Sequence, residues 1–276
     1  MTEQIKGKSF IVTGGAGFIG SHLCEYLLEY GAKKVIIIDN LLTGSLTNIE
    51  HLHAFPGFEF VEADINDRDK IAPFFKDVDI VFHEAALGSV PRSVKNPVNT
   101  DFNNSHGFVN IAFLAKEAGV QKFVFASSSS VYGDDKHQPK IETQTGKALS
   151  PYAISKKSNE LYAELFADLY EMDITGLRYF NVFGPKQNPE CPYAAAIPIF
   201  IDKMLKNENV PVYGNGKQSR DFTYVKNVVH ANILAAFTPN HETRYRIINI
   251  ANGGLNSVNK LFTTIKLLNR LDHNIQ

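Results

Sequence analysis

The sequence predicts an α/β fold: a doubly wound parallel sheet with helices on both faces and a smaller, interleaved C-terminal lobe. Three observations predict it. Short runs of branched apolar residues alternate with helical stretches along the first part of the chain, a glycine-rich turn follows the first run, and prolines interrupt the pattern beyond residue 184. The 276 residues are 44% apolar, which is enough for a large buried core.

Five short apolar runs bounded by turn residues predict the first buried strands. They cover residues 9–13, 34–38, 58–63, 80–83 and 122–126. Helices are predicted between them over residues 20–30, 68–75 and 102–118. The first helix carries Leu23 and Leu27 on one face and has Gly31 as its C-cap. Strands and helices that alternate in this way form a parallel sheet through right-handed crossovers.

The pattern changes after residue 130. A polar connection over 133–150 leads into a long predicted helix over 152–170, which carries two adjacent apolar stripes. The members of these stripes are Leu161, Leu165 and Leu169 in the first, and Tyr162, Phe166 and Tyr170 in the second. A strand over 175–180 follows, and a last helix is predicted over 261–271. The wide apolar face predicts that the long helix packs on the sheet and on a partner helix as well.

The same pattern predicts the domain organisation. We expect a first domain over residues 1–184, to which segments from about 217–251 return. Residues 185–276 are expected to form mainly the second lobe.

Composition and charge exclude several classes of function. The chain has 28 basic and 29 acidic residues, so no basic excess predicts nucleic acid or an anionic membrane as a partner. Cys24 and Cys191 lack a short pair spacing, which argues against a disulfide scaffold, and we expect no metal. No apolar run approaches the roughly 20 residues that span a bilayer. Because residues 1–7 are polar and unlike a secretory signal, we expect a soluble, cytoplasmic protein.

A glycine triad predicts a dinucleotide site. The triad lies between the first strand and the first helix and consists of Gly14, Gly17 and Gly20. The first glycine permits a tight turn, the second lets the backbone approach a pyrophosphate, and the third allows close helix–strand packing. Asp39 ends the next strand, 19 residues after Gly20. A carboxylate there accepts hydrogen bonds from the ribose hydroxyls and repels a 2′-phosphate. The pattern therefore predicts a Rossmann-type fold that binds NAD rather than NADP.

Two further strand ends border the predicted site. Asp64 and Ile65 end the third strand, where the carboxylate either meets the adenine or caps the strand end. The small residues that follow His83 either let the backbone approach the second ribose or fill a tight gap between sheet and helix.

A second group of residues indicates proton chemistry. Tyr152 and Lys156 lie four residues apart on a predicted helix and so share one face. A nearby ammonium and the positive end of a bound nicotinamide both favour the tyrosine phenolate, although many such pairs form only a solvated helix face. The serines at 127–130 end a strand at the carboxyl edge of the sheet. Serine, tyrosine and lysine are therefore expected to meet beside the nicotinamide.

These motifs resemble the extended short-chain dehydrogenase/reductase family, and within it the bacterial UDP-N-acetylglucosamine 4-epimerases. The segments that carry the resemblance are residues 13–20, 39–40, 86–93, 127–133, 152–156, 178–184, 193–198 and 219–222. They extend over nearly the whole chain. The resemblance implies a homodimer with a four-helix interface built from the helices over 102–118 and 152–170. It also implies that family members run a few dozen residues further, where a second arginine near the diphosphate is expected.

The resemblance implies a role for each matching position. The catalytic residues would be Ser128, Tyr152 and Lys156. NAD would contact Gly14, Gly17, Phe18, Ile19, Asp39, Asn40, Gly44, Asp64, Ile65, Ala85, Asn103, Lys156 and Tyr179. The UDP-sugar would contact Ser89, Ser128, Ser129, Tyr152, Asn181, Ala195 and Arg220. An arginine suits a diphosphate because a guanidinium binds phosphate oxygens bidentately, whereas the competing role for Arg220 is an ion pair with Asp221.

The implied reaction is epimerisation at C4 of a UDP-hexose through a transient 4-keto sugar. The implied substrates are UDP-N-acetylglucosamine, UDP-N-acetylgalactosamine or the corresponding uronic acid. A 4,6-dehydratase is disfavoured, because dehydratases resemble one another in placing Asp-Glu beside the serine, where this chain has Ser129 and Ser130. Two competing functions are a UDP-glucuronate decarboxylase and a noncatalytic NAD-binding protein.

Overall fold

The computed structural model describes residues 2–190, 195–212, 214–239 and 243–273. The strands are β1 (Ser9–Thr13), β2 (Lys34–Asp39), β3 (Phe58–Glu62), β4 (Ile80–His83), β5 (Lys122–Ser128), β6 (Asp173–Tyr179), β7 (Val182–Phe183), β8 (Ser219–Arg220), β9 (Thr223–Tyr224), β10 (Tyr245–Ile250) and β11 (Asn256–Ser257). The α-helices are α1 (Thr2–Ile5), α2 (Phe18–Glu29), α3 (Arg68–Ile71), α4 (Val90–Lys95), α5 (Pro97–Asp101), α6 (Gly107–Glu117), α7 (Pro151–Tyr170), α8 (Ala196–Leu205), α9 (Val225–Phe237) and α10 (Val258–His273).

Seven strands form one parallel sheet in the order β3–β2–β1–β4–β5–β6–β10. The chain moves outward from β1 in one direction and then returns to place β4 on the other side of β1. This reversal creates a crevice at the carboxyl ends of β1 and β4, which is where open parallel sheets bind their ligands. The predicted Rossmann-type sheet is confirmed.

Helices cover both faces of the sheet. On one face, Leu23 and Leu27 of α2 pack in a cluster with Ile233 of α9. On the other face, Phe108 of α6 and Phe166 of α7 belong to a separate cluster. Because the side chains of each parallel strand alternate between these two clusters, the strands are buried on both sides, which explains their nearly continuous apolar sequence.

Some predicted element bounds were wrong, and local sequence explains two of them. The predicted helix over 68–75 is α3 followed by a 3₁₀ turn over Ala72–Phe75, where Pro73 lacks an N–H group. The predicted helix over 102–118 begins earlier, at Pro97, and contains a π-helical turn over Phe102–His106. The side chain of Asn96 caps this earlier start by accepting a hydrogen bond from the Asn99 amide at 3.1 Å. β3 also ends at Glu62, so Asp64 follows the strand rather than ending it.

The later part of the chain contains elements that the sequence did not predict one by one. Helix α9 packs on α2, and β10 pairs with β6 at the edge of the sheet. Helices α8 and α10 pack through Phe200 and Phe262, whose ring centroids lie 6.3 Å apart. β8 pairs antiparallel with β11, whereas β7 pairs parallel with β9. In the described part of the chain no helix has the length and apolar character required to cross a bilayer.

Candidate active site

The glycine turn after β1 depends on the absence of side chains. Gly14 has a φ of +69°, and a Cβ atom built on it would lie 2.7 Å from Cα of Ala85, which follows β4. A Cβ atom on Gly20 would overlap the Gly14 carbonyl. Gly17 is the N-cap of α2, so the first amides of that helix point into the crevice. Such a helix start binds anionic groups.

Asp39 is fixed at the end of β2 by two backbone amides. Its Oδ2 atom accepts a hydrogen bond from the Ala16 amide at 3.0 Å, and its Oδ1 atom accepts one from Leu41 at 2.8 Å. Burial raises the pKa of this carboxyl group, and the two amides oppose that effect. Gly44 lies close by, since a Cβ atom on it would be 3.0 Å from both carboxylate oxygens.

A cavity of about 390 Å³ extends from this turn to the start of α7. It brings together most of the predicted cofactor residues and all three predicted catalytic residues. The predicted residues that line it are Gly14, Gly17, Phe18, Ile19, Asp39, Asn40, Ile65, Ala85, Asn103, Ser128, Tyr152, Lys156, Tyr179 and Asn181. Asp64 is not among the described lining residues. Its Oδ2 atom instead accepts a hydrogen bond from Nδ2 of Asn40, a lining residue, at 2.8 Å, so a direct contact of Asp64 with the cofactor stays a prediction.

The start of α7 places Tyr152 in the cavity wall. Ser150 caps the helix by accepting a hydrogen bond from the Ala153 amide at 3.1 Å, and Pro151 occupies the first helical position. The Tyr152 side chain lies near that of Ser128 at the end of β5, and both residues line the cavity. The predicted serine and tyrosine are therefore neighbours in the cavity wall.

Burial controls the pKa values of both groups in the predicted Tyr-Lys pair. It raises the pKa of Tyr152, and the hydrogen bond with Ser128 opposes the rise. It lowers the pKa of Lys156 to about 8, while Glu84 and Glu160 oppose the fall. We expected Lys156 to lower the pKa of Tyr152. In the protein without bound cofactor this expectation is wrong, because the pKa of Tyr152 is raised. The Lys156 ammonium donates its hydrogen bond to the Ala126 carbonyl at 2.8 Å instead.

Glu84 is a cavity residue to which sequence reasoning assigned no role. Its Oε1 atom accepts a hydrogen bond from the Tyr179 hydroxyl at 2.8 Å, and that hydroxyl accepts one from Asn232 at the same distance. Burial raises the pKa of Glu84 to about 7. The sequence feature that could have identified Glu84 is its position as a charged residue directly after a buried strand, at the sheet edge that carries the site.

A buried ion pair braces the catalytic elements. Arg178 on β6 binds Glu160 on α7 through two hydrogen bonds of 2.8 and 2.9 Å, and both residues are 2% exposed. Ser127, next to the predicted catalytic serine, donates to the same carboxylate at 2.7 Å. The ion pair therefore joins the end of β5, the lysine-bearing helix and β6.

A second cavity of about 340 Å³ adjoins the first, because Asn181 and Val182 line both. Ala195 and Arg220 line this second cavity. The carboxylate of Asp221, the competing partner for Arg220, accepts hydrogen bonds from the amides of Asn252 and Gly253 at 3.0 and 2.7 Å.

The remaining residues that were predicted to contact the UDP-sugar lie outside the described lining of both cavities. Ser89 caps α4 by accepting a hydrogen bond from the Arg92 amide at 3.2 Å, and Ser129 begins a 3₁₀ turn after β5. Neither belongs to the described lining of the two cavities, so their contacts with a sugar stay predictions. Tyr193 and Ala194 lie outside the described residues. In the described residues no group of three or more His, Cys, Asp or Glu side chains is placed to hold a metal ion.

We expect Arg178→Met to lower the free energy of unfolding by about 3–5 kcal/mol, because it leaves the buried Glu160 carboxylate without its partner. Lys157→Met is the matched control. Lys157 contacts the same carboxylate at 3.4 Å, but its side chain is 39% exposed, so we expect a loss below about 1 kcal/mol. Denaturant unfolding at pH 7 measures both. Equal losses in the two variants would contradict the bracing role of the buried pair.

Comparison with known proteins agrees with this geometry. The chain is 42% identical to a UDP-N-acetylglucosamine 4-epimerase from Methanobrevibacter ruminantium, solved with UDP-N-acetylmuramic acid, at a TM-score of 0.88 over 94% of this chain and 81% of that one. It is 38% identical to a UDP-glucose 4-epimerase from Thermotoga maritima, solved with UDP-glucose, at a TM-score of 0.87 over 94% and 81%.

A third solved structure shares the fold at lower identity. It is a UDP-glucuronic acid 4-epimerase from Bacillus cereus in complex with UDP-glucuronic acid and NAD, 31% identical, with a TM-score of 0.87 over 95% of this chain and 83% of that one. The model of the NAD dependent epimerase/dehydratase family matches residues 10–251. This chain therefore belongs to the NAD dependent epimerase/dehydratase family.

Proposed function

We propose that this protein epimerises a UDP-hexose at C4 with NAD as a bound cofactor. The observation that carries the proposal is that Ser128, Tyr152 and Lys156 line one wall of a cavity that begins at the glycine turn. A dinucleotide cradle and an acid–base group thus share one continuous site. The related 4-epimerases of similar fold support the same reaction.

The residues present fit NAD. Side-chain-free backbone at Gly14 and Gly17 leaves room for a pyrophosphate at the start of α2, and the fixed carboxylate of Asp39 suits a ribose diol. The remaining predicted contacts, including Asn103 and Tyr179, lie along the same cavity. NAD, when bound, supplies a hydride acceptor that can return the hydride. The domain over 1–184 would hold this cofactor, and the lobe over 185–276 mainly the sugar nucleotide.

Tyr152 is the proposed acid–base residue. As phenolate it takes the proton of the C4 hydroxyl, and as phenol it returns a proton when the transient 4-keto sugar is reduced on its other face. Ser128 lies near this oxygen in the cavity wall and can hold the substrate hydroxyl beside it. Because burial raises the pKa of Tyr152, the phenolate requires positive charge nearby, which the positive end of the bound nicotinamide would supply together with Lys156.

The second cavity is the proposed place of the sugar nucleotide. Arg220 suits the diphosphate because a guanidinium binds phosphate oxygens bidentately, and Asn181 lies where the two cavities meet. We assign Ala195, Ser89 and Ser129 to the same ligand from the family resemblance. UDP-N-acetylglucosamine and UDP-N-acetylgalactosamine are the proposed substrate pair, with their C6 uronic acids as the second choice.

The geometry favours epimerisation over elimination. Within the described lining of the first cavity the carboxylates are Asp39, held by backbone amides at the end of β2, and Glu84, held by Tyr179. Ser129 and Ser130, which follow the catalytic serine, carry no carboxylate. A 4,6-dehydratase would need an acid–base pair at that point.

We expect Tyr152→Phe to lower kcat for C4 epimerisation by at least about 100-fold, because it removes the acid–base oxygen and leaves the ring in place. Tyr162→Phe, on the same helix but 40% exposed, should keep wild-type turnover. The assay is epimer formation from UDP-N-acetylglucosamine, followed by chromatography, with absorbance at 340 nm to detect net NADH. Near-normal turnover by Tyr152→Phe would refute the assignment, and a 4-keto-6-deoxy product would indicate a dehydratase.

We also propose a homodimer. Helix α7 leaves Leu161, Leu165 and Leu169 in one exposed stripe, with exposures of 58%, 48% and 62%. Phe102, in the π-helical turn that leads into α6, is 50% exposed. Two copies that joined these surfaces would bury apolar area in a four-helix arrangement. Phe166, by contrast, already packs on the sheet, so the second predicted stripe is only partly available.

We expect the double variant Leu161→Glu/Leu165→Glu to dissociate the dimer, because it places two charges in the apolar stripe. Light scattering at micromolar concentration should show a change from twice the chain mass of 30.7 kDa to that mass. Leu205→Glu, at a residue on α8 that is 62% exposed, is the control and should stay dimeric. A monomeric wild-type protein would rule out the interface.

A further inference from the structure

Glu84 lies in the wall of the cofactor cavity, directly after β4. Its side chain is fixed by the Tyr179 hydroxyl, which donates to Oε1 at 2.8 Å while accepting a hydrogen bond from Asn232 on α9. Asn232 is fully buried, and Tyr179 is 8% exposed. Two neighbouring elements therefore fix where this carboxylate lies.

The topology places Lys156 beside Glu84. The lysine ammonium is anchored on the Ala126 carbonyl of β5 at 2.8 Å. His83, the last residue of β4, pairs with Phe125 on β5, so Glu84 and Ala126 each follow this pair by one residue. Adjacent strands are about 4.8 Å apart, and both side chains line the same cavity. The carboxylate and the ammonium therefore interact through space.

Two carboxylates, Glu84 and Glu160, attract the Lys156 ammonium, and they differ in whether another cation already binds them. Glu160 also attracts the ammonium, but it is bound directly by Arg178 through two hydrogen bonds. Glu84 receives only a neutral hydroxyl from Tyr179. Of the two carboxylates, Glu84 therefore has the larger uncompensated charge to offer the ammonium.

The other titratable groups near Glu84 do not take over this role. Burial lowers the pKa of His83 to about 3, so its ring is neutral near pH 7. Cys24 on α2 also interacts with Glu84, and burial raises the pKa of its thiol, which is therefore neutral too. Burial likewise raises the pKa of Tyr179. Lys156 is the cationic group that interacts with this carboxylate.

We propose that Glu84 is a positioning residue whose carboxylate, held by Tyr179, is the counter-charge that keeps the Lys156 ammonium protonated at the cavity wall. Lys156 is 1% exposed, so water alone does not solvate this charge. The catalytic consequence rests on the proposed epimerase function, whereas the electrostatic pairing does not. Above the pKa of Glu84, the ionised carboxylate extends the pH range over which Lys156 stays charged.

The test is Glu84→Gln, whose amide has the same size and still offers Tyr179 an oxygen to donate to. We expect the pKa of Lys156 to fall from about 8 by about 1. ¹³C NMR of the full-length protein labelled at lysine Cε measures this titration, with the Lys156 signal assigned through Lys156→Arg. Turnover of Glu84→Gln should match the wild type at pH 6, where the wild-type carboxyl is largely protonated, and fall about fivefold at pH 8.

Two further variants keep the test decisive. Glu164→Gln removes one charge from an exposed position on α7 and should leave both the lysine titration and the pH profile unchanged. Glu84→Asp keeps the charge but withdraws it by one methylene, so we expect a smaller fall in the pKa of Lys156, which can be measured even if the Gln variant does not fold.

An unmoved lysine titration in a folded Glu84→Gln or Glu84→Asp variant would overturn the proposal. A uniform loss of turnover at every pH, together with an unmoved titration, would likewise show that Glu84 is merely structural. A lowered lysine pKa in a protein that epimerises no UDP-hexose would support the pairing and would refute the proposed function alone.

Discussion

The burial of one ammonium group determines much of the architecture around the site. Lys156 is 1% exposed, and an ion removed from water to this extent costs several kcal/mol unless it is compensated. The compensation comes from three groups: the Ala126 carbonyl of β5, Glu84 after β4, and Glu160 of α7, which is itself held by Arg178 of β6. The lysine can therefore stay charged only where these strands end beside α7. The sheet order is what brings them there.

The same sheet edge explains why cofactor and substrate functions adjoin. The reversal of strand order between β1 and β4 opens the crevice, and the absence of a side chain at Gly14 lets the backbone of Ala85 approach from β4. Ser128 ends β5 one strand further along, and Tyr179 ends β6 opposite it in register. The ends of β4, β5 and β6 thus contribute Glu84, Ser128 and Tyr179 to one continuous wall, so the position of a residue along the sheet edge determines which part of a ligand it can meet.

The sequence was sufficient for features that depend on local spacing, and insufficient for those that depend on distant partners. Gly14, Asp39 and the Tyr-Lys pair lie within single turns or at strand ends, where a short pattern determines the local structure. Glu84 and the Glu160–Arg178 pair could not be assigned in this way, because their roles require neighbours 95 and 18 residues away. The π-helical turn over Phe102–His106 also left no clear pattern, although its Asn103 lines the cavity.

Burial acts on the tyrosine and the lysine in opposite senses, and this connects the fold to the chemistry. It raises the pKa of Tyr152 and lowers that of Lys156, so in each case it favours the neutral form. A neutral phenol beside a neutral amine cannot remove a hydroxyl proton through a phenolate. The carboxylates near Lys156 and the hydrogen bond from Ser128 to Tyr152 both oppose this tendency, because they stabilise the ammonium and the phenolate respectively. The polar groups around the pair therefore restore the charges that the apolar fold would otherwise remove.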